Sequence, residues 1–205
     1  MFKFADPISA CKISATYNML FTASWDKMVR CVDLETNKVC KSFIASKEAI
    51  KCMQINENYI FVAGCDPVIR AFNIEDGTQK IYQGHKGWIY CVETMGKRMF
   101  SGGDDRSIII WDIESQKMLE QLNGHENGVT SIGFAYGDLY TGSFDHHIIC
   151  WDLADLNERI SEKEDMRQAD IDSRKFEVYW RLLDTKKGKK KGKGGAKGGK
   201  KKGKK

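Results

Sequence analysis

TASWDKMVRCVDL (22–34), VAGCDPVIRAFNI (62–74), SGGDDRSIIIWDI (101–113) and TGSFDHHIICWDL (141–153) are four versions of one segment. Asp26, Asp66, Asp105 and Asp145 fill one column at spacings of 40, 39 and 40 residues, and Asp33, Asn73, Asp112 and Asp152 fill a second at the same spacings. The pairs Gly84-His85 and Gly124-His125 stand ahead of the third and fourth segments. Columns kept in step over so long a stretch define an internal repeat, and the repeat decides the architecture. Within one unit, IKCMQI (50–55), YIFVAG (59–64), VIRAFNI (68–74) and QKIYQ (79–83) are short apolar or alternating runs divided by NEN, GCDP and EDG. That reads as four strands per unit of about 40 residues, the pattern of a propeller blade, and the fold class is all-β.

The Trp111-Asp112 and Trp151-Asp152 dipeptides with their upstream Gly-His pairs resemble the WD40-repeat family, over residues 1–153. The resemblance implies a buried tetrad of His, Ser/Thr, Asp and Trp in each blade. By position these are His85, Ser101, Asp105 and Trp111 in unit three, and His125, Thr141, Asp145 and Trp151 in unit four. Unit one keeps Thr22 and Asp26, with Asp6 and Val32 in the other two columns. Unit two keeps Asp66, with Ser46, Val62 and Phe72 elsewhere. A buried carboxylate needs hydrogen-bond donors, and a His ring can serve the carboxylate on one side and a hydroxyl on the other. A network of this kind stiffens a blade when every member is present. Units one and two are therefore expected to be softer, and loss of Asp66 is expected to matter less than loss of Asp105.

Four units are few for this family, in which the resemblance implies seven as the usual number. Residues 2–5 (FKFA) occupy the place of an outer strand, equivalent to SFIA at 42–45, and no outer strand follows Asp152. Two readings fit: FKFA completes the last blade and closes a four-bladed ring, or the four units are part of a larger seven-bladed ring. The second is preferred.

Beyond the repeat, residues 154–185 form a charged stretch low in β-branched residues and without Gly or Pro, which predicts a helix. Phe176, Tyr179, Trp180 and Leu183 follow helical spacing, to pack back on the propeller or to dock into a partner's groove. Residues 186–205 hold twelve lysines, seven glycines and one alanine. This composition predicts a disordered basic tail. The net charge of +5 hides this split, because residues 1–185 carry 21 basic and 28 acidic residues. A nucleic-acid-binding surface spread over the folded body is disfavoured. The tail itself offers Lys186, Lys187, Lys189, Lys190 and Lys191 to RNA or another polyanion, or acts as a nuclear address or a contact to an anionic membrane face.

No stretch is long and apolar enough for a membrane span, and MFKFADPISACK lacks a signal-peptide core. Seven cysteines without C-x-x-C fit reduced thiols in a cytoplasmic, or nuclear, protein. No G-x-S-x-G, G-x-G-x-x-G, H-E-x-x-H or EF-hand pattern occurs, so no enzyme activity, metal, cofactor or small-molecule substrate is expected. The function expected is that of a scaffold or adaptor that binds protein partners through propeller-face loops. The residues these loops present are Trp25, Lys27, Lys47, Lys86, Trp88, Asp104, Arg106, Phe144 and His146. The alternative is an RNA-associated factor that binds through the tail.

Overall fold

Short runs of β-branched and aromatic residues, cut by turn-forming residues, each become a strand. The computed structural model describes residues 4–191. Unit one contains β1 (Ile8–Ser14), β2 (Met19–Ser24), β3 (Met28–Asp33) and β4 (Lys38–Ile44). Unit two contains β5 (Ile50–Ile55), β6 (Tyr59–Gly64), β7 (Val68–Asn73) and β8 (Gln79–Gln83). Unit three contains β9 (Ile89–Met95), β10 (Arg98–Gly103), β11 (Ser107–Asp112) and β12 (Met118–Asn123). Unit four contains β13 (Val129–Ala135), β14 (Asp138–Ser143) and β15 (Ile148–Asp152), and α1 (Leu153–Lys191) comes next. Among the described residues each unit is its own antiparallel sheet, with strands in chain order; the first three have four strands and the last has three.

The sheets stack side by side as blades. Inner strand β1 packs on β5, β5 on β9 and β9 on β13, whereas β13 does not pack on β1 in this way. The four blades therefore form an open arc, and the closed four-bladed ring is not realised. Among the described residues β15 pairs only with β14, and Ile148 on it is 78% exposed. The expected closing segment starts with Phe2 and Lys3, outside the described residues. Phe4 instead lies under the Arg30 guanidinium of blade one, 4.7 Å from its ring centroid.

The core lies between neighbouring sheets. Phe21, Val29, Ile50 and Ile60 fill the space between blades one and two; Phe61, Tyr82, Met99 and Trp111 fill that between two and three. Burial of each such side chain contributes about 1.5–3 kcal/mol. Trp111 meets Tyr82 edge-on at 5.8 Å, but at the first junction the corresponding pair is Phe43 and Phe72, at 5.0 Å. The smaller ring in the tryptophan column leaves an apolar groove of about 720 Å³ bordered by Phe43, Phe72, Cys40 and Ile74.

The second repeating aspartate explains why unit four stops at three strands. In units one to three, Asp33, Asn73 and Asp112 accept backbone N–H bonds from the turn that leads to the fourth strand. Asp152 accepts from Ala154 and Asp155 in the same way, at 2.7 and 3.2 Å. Here the bonds are those of a helix N-cap, and α1 starts where a turn would have been. Contacts divide the chain into Met1–Leu156 and Asn157–Lys205. The boundary lies beyond residue 153 because the first helical turn, with Leu153 and Leu156 buried, belongs to the propeller unit. The helix also runs to Lys191, past the expected end at 185. Lysine is a good helix former and is favoured near a helix C-terminus, which offsets the single Gly188. Residues 192–205 lie outside the described residues, as do the side chains of Phe176, Tyr179, Trp180, Leu183 and Lys186–Lys191.

Candidate functional site

The two predicted tetrads are bonded end to end. Trp111 Nε1–H donates to Ser101 Oγ at 2.8 Å, Ser101 Oγ lies 2.8 Å from His85 Nε2, and His85 Nδ1 lies 2.9 Å from an Asp105 oxygen. In blade four the Trp151–Thr141, Thr141–His125 and His125–Asp145 distances are 2.9, 2.9 and 2.8 Å. Burial works to raise the Asp105 carboxyl, but the His85 ring, the Lys86 N–H and Ser107 outweigh it and hold the group well below the usual carboxylate range. The glycine of each Gly-His pair has a packing reason. A Cβ at Gly84 would come within 2.8 Å of the Trp111 ring, and one at Gly124 within 3.0 Å of Trp151.

Blades one and two, expected to be softer for want of a full tetrad, carry a different network around their aspartates. Arg30 and Arg70 take over the role of the missing histidine. Arg30 makes two bonds to Asp26, at 2.6 and 3.2 Å. Arg70 bonds Asp66 at 2.7 Å and Ser46, in the histidine column, at 3.3 Å. The signal was present in the repeat: the column that reads Arg30 and Arg70 in the blades without histidine reads Ile109 and Ile149 in the blades with it. Blade two is still the less complete. Asp66 Oδ1 is buried without a partner, and Pro67 supplies no N–H to the turn.

These networks anchor the loops of one face. Inner strands β5, β9 and β13 each carry a bulge at that end, between Ile50 and Cys52, between Ile89 and Cys91, and between Val129 and Ser131. A bulge leaves one residue unpaired and re-aims its side chain; here these are Lys51, Tyr90 and Thr130. Lys51 Nζ lies 4.8 Å from the Trp88 ring centroid and 5.0 Å from that of Tyr90. The Tyr90 hydroxyl donates to Asp104 at 2.9 Å, and its ring meets Phe144 edge-on at 5.5 Å. Lys51, Trp88, Tyr90, Asp104 and Phe144 thus form one cluster across blades two, three and four. Trp88 is 48% and Phe144 54% exposed, so neither is core.

Of the predicted face residues, the structure brings Trp88, Asp104 and Phe144 together. Trp25, in the corresponding turn of blade one, is exposed but joins none of these ring pairs. Lys27 pairs with Glu48 at 3.8 Å, which ties the first blade's turn to the loop ahead of β5. Lys47, Lys86 and His146 are exposed, as is Arg106. Lys27, Arg106 and His146 have left-handed backbone, with φ of 70, 66 and 69°. That conformation is ordinarily given to glycine; three long polar side chains are placed there at a cost of roughly 1 kcal/mol each. Each is held by the preceding aspartate, which accepts the N–H of the following residue. Sequence reasoning missed Lys51 and Tyr90. Their only signal was a polar or aromatic residue next to the small-residue column of Cys52, Cys91 and Ser131.

The thiols in that column serve packing. Cys91 Sγ points at the carbonyls of Gly102 and Val129, and burial pushes its pKa up to about 12, which removes the thiolate that redox or metal chemistry needs. Among the described residues no group of three His, Cys, Asp or Glu is placed to hold a metal, and no helix is long and apolar enough to cross a membrane.

Comparison with known proteins agrees with this geometry. The family model "WD domain, G-beta repeat" matches residues 2–33, 77–112 and 116–152, just over half of the chain. An uncharacterized WD repeat-containing protein of Schizosaccharomyces pombe is 26% identical over 71% of this chain and 43% of its own length. Ribosome biogenesis protein YTM1 of Kluyveromyces lactis is 27% identical, over 52% of this chain and 27% of that protein. Cilia- and flagella-associated protein 52 of Macaca fascicularis is 29% identical, over 51% and 20%. The chain therefore spans less than half of these curated relatives. The crystal structure of the WD40 β-propeller domain of Doa1 superposes with a TM-score of 0.66 at 22% identity, over 72% of this chain and 51% of that one. The computationally designed Ika4 protein superposes with a TM-score of 0.68 at 20% identity, over 74% and 94%. With its repeated Asp columns, its Trp–Ser/Thr–His–Asp chains and three matched repeats, the protein belongs to the WD domain, G-beta repeat family.

Proposed function

We propose that the chain is a non-enzymatic scaffold or adaptor that binds a protein partner through the loop face bearing Trp88. The observation that carries this reading is the half-exposed Trp88 and Phe144, held by Lys51, Tyr90 and Asp104 across three blades. Aromatics held rigidly at a surface offer large apolar area and lose little side-chain entropy on binding. The relatives' names come from ribosome biogenesis and from cilia and flagella, and each is matched over a minor part of its length, so no pathway is carried over. Seven free thiols fit a place in the cytoplasm or nucleus. The Trp88→Ala variant should melt within about 2 °C of the parent, as surface substitutions do. It should lose partners that the parent recovers from cell lysate. Earlier melting by several degrees with every partner retained would make Trp88 structural and move the binding face elsewhere.

A second reading rests on charge. Residues 186–205 carry twelve lysines and no acid, beside a body with an excess of acids. On this reading the tail, from Lys186, Lys187, Lys189, Lys190 and Lys191 onward, binds RNA phosphates by counterion release. A chain ending at Thr185 should then lose RNA binding, and binding by the full chain should collapse between about 50 and 200 mM salt. Equal affinity of the two chains would place the basic surface on the propeller.

A further inference from the structure

Every interior junction of the arc is built on the same two aliphatic columns. Val29, Ile69, Ile108 and Ile148 each stand three residues after the repeating aspartate. Ile8, Ile50, Ile89 and Val129 are the first residues of the four inner strands. Val29 and Ile50 share the core between blades one and two, and Ile69 and Ile89 share that between two and three. Ile108 and Val129 are likewise buried at the third junction, and all six residues have no exposed surface. The fourth pair of these columns is Ile148 and Ile8. They lie at opposite ends of the arc, 78% and 47% exposed. Neighbouring columns repeat the contrast. Phe21, Phe61 and Phe100 are buried where Tyr140 is half-buried, and Met53 and Val92 are buried where Cys11 is exposed. A terminal repeat that works in solvent presents a polar outer face. Here both end faces keep the apolar residues of an interior junction.

We infer that these end faces cover each other in a second copy of the chain: blade four of each copy packs on blade one of the other, and the two arcs close a ring of eight blades. The columns select this occupant, because the partner that each end lacks is the one that the other end presents. The three-stranded blade can make the contact. At the interior junctions inner strand packs on inner strand, and β2, β6 and β10 pack on the inner strand of the next blade. Blade four has the corresponding β13 and β14, and blade one has β1. A contact between two different faces is heterologous and ends only when a ring is complete. One copy is an open arc, and three would give twelve blades, beyond the roughly four to eight typical of propellers.

Sedimentation velocity of the full chain between about 1 and 50 μM, where an interface of ordinary size is populated, should show a species of twice the chain's mass. Ile148→Lys and Ile8→Asp each place a charge in both junctions of that ring. Each alone should raise the dissociation constant about tenfold or more, as loss of a buried aliphatic contact gives. Mixed together, the two variants should dimerise again, because the mixed ring has one junction with both isoleucines and one with opposite charges. Both residues are exposed in the single copy, so each variant should keep the circular dichroism of the parent. If one fails to fold, Ile148→Ser or Ile8→Ser takes its place and should weaken the dimer in the same direction. Trp88→Ala should dimerise as the parent does, which separates this contact from the protein-binding face. A parent chain that stays monomeric throughout the range would overturn the proposal. So would a dimer that survives both substitutions, or two variants that stay monomeric when mixed. A ladder of larger oligomers, lost in either variant, would mean that the arcs join end to end without closing, and would overturn the eight-bladed ring.

Discussion

Replacing Asp105 with alanine is expected to lower the stability of the propeller unit by about 2–4 kcal/mol, seen as a drop in the thermal midpoint of roughly 6–12 °C. The size reflects what the carboxylate serves. It accepts from the His85 ring at 2.9 and 3.0 Å, from the Lys86 N–H at 2.8 Å and from the Ser107 hydroxyl at 2.9 Å. The His85 side chain is wholly buried, so without Asp105 its Nδ1–H has neither protein nor water as partner. The damage passes along the chain to Ser101 and Trp111, which lie at the packing centre between blades two and three. Ser107→Ala removes one of several donors to the same carboxylate and should stay within about 1 kcal/mol of the parent. Urea unfolding of both variants checks this, and equal losses would mean that the network is not cooperative.

Asp66→Ala is expected to be nearly as damaging, about 2–4 kcal/mol, although blade two has neither the histidine nor the tryptophan of a tetrad. The reason is Arg70. Its side chain is 10% exposed and pairs with Asp66 at 2.7 Å. Removal of the acid leaves a buried guanidinium with only the Ser46 hydroxyl and one carbonyl. Replacing both partners removes that penalty, since an unpaired buried charge is worse than no charge. The double variant Asp66→Ala/Arg70→Ile should regain more than half of the loss, because isoleucine is what blades three and four carry at this position. A loss below about 1 kcal/mol in the single variant would show that Arg70 finds water or another acceptor.

How much was legible varied by position. The tetrads of blades three and four were readable because every member is a residue type with a restricted set of partners. His85, Ser101, Asp105 and Trp111 stand at spacings set by strand length, and those spacings bring their polar atoms into bonding range. The arginine networks of blades one and two were equally present in the sequence, as Arg30 and Arg70 where the other blades have isoleucine, but an arginine in a strand is compatible with many partners. Only the structure shows that it reaches four residues back to its aspartate. The candidate face was legible in part. Trp88 and Phe144 were in view because they are large and stand in loops. Lys51 and Tyr90 were not, because each looks like an ordinary strand residue until a bulge turns it outward.

By itself the sequence determined that this is a repeat of four-stranded blades, because a column of aspartates at intervals of about 40 residues and the alternation within each unit are local properties of the chain. It likewise determined the split between an acidic body and a basic tail. The tertiary structure alone decided that the four blades form an open arc, since closure depends on whether β13 meets β1, and no local signal sets that distance. It decided that Asp152 caps a helix where Asp33, Asn73 and Asp112 close turns, because the same side chain bonds the same N–H groups in both and the residues downstream select between them. It also decided which exposed side chains share a surface. Lys51, Trp88 and Phe144 come from three blades and meet only because packing of the inner strands sets the blades side by side.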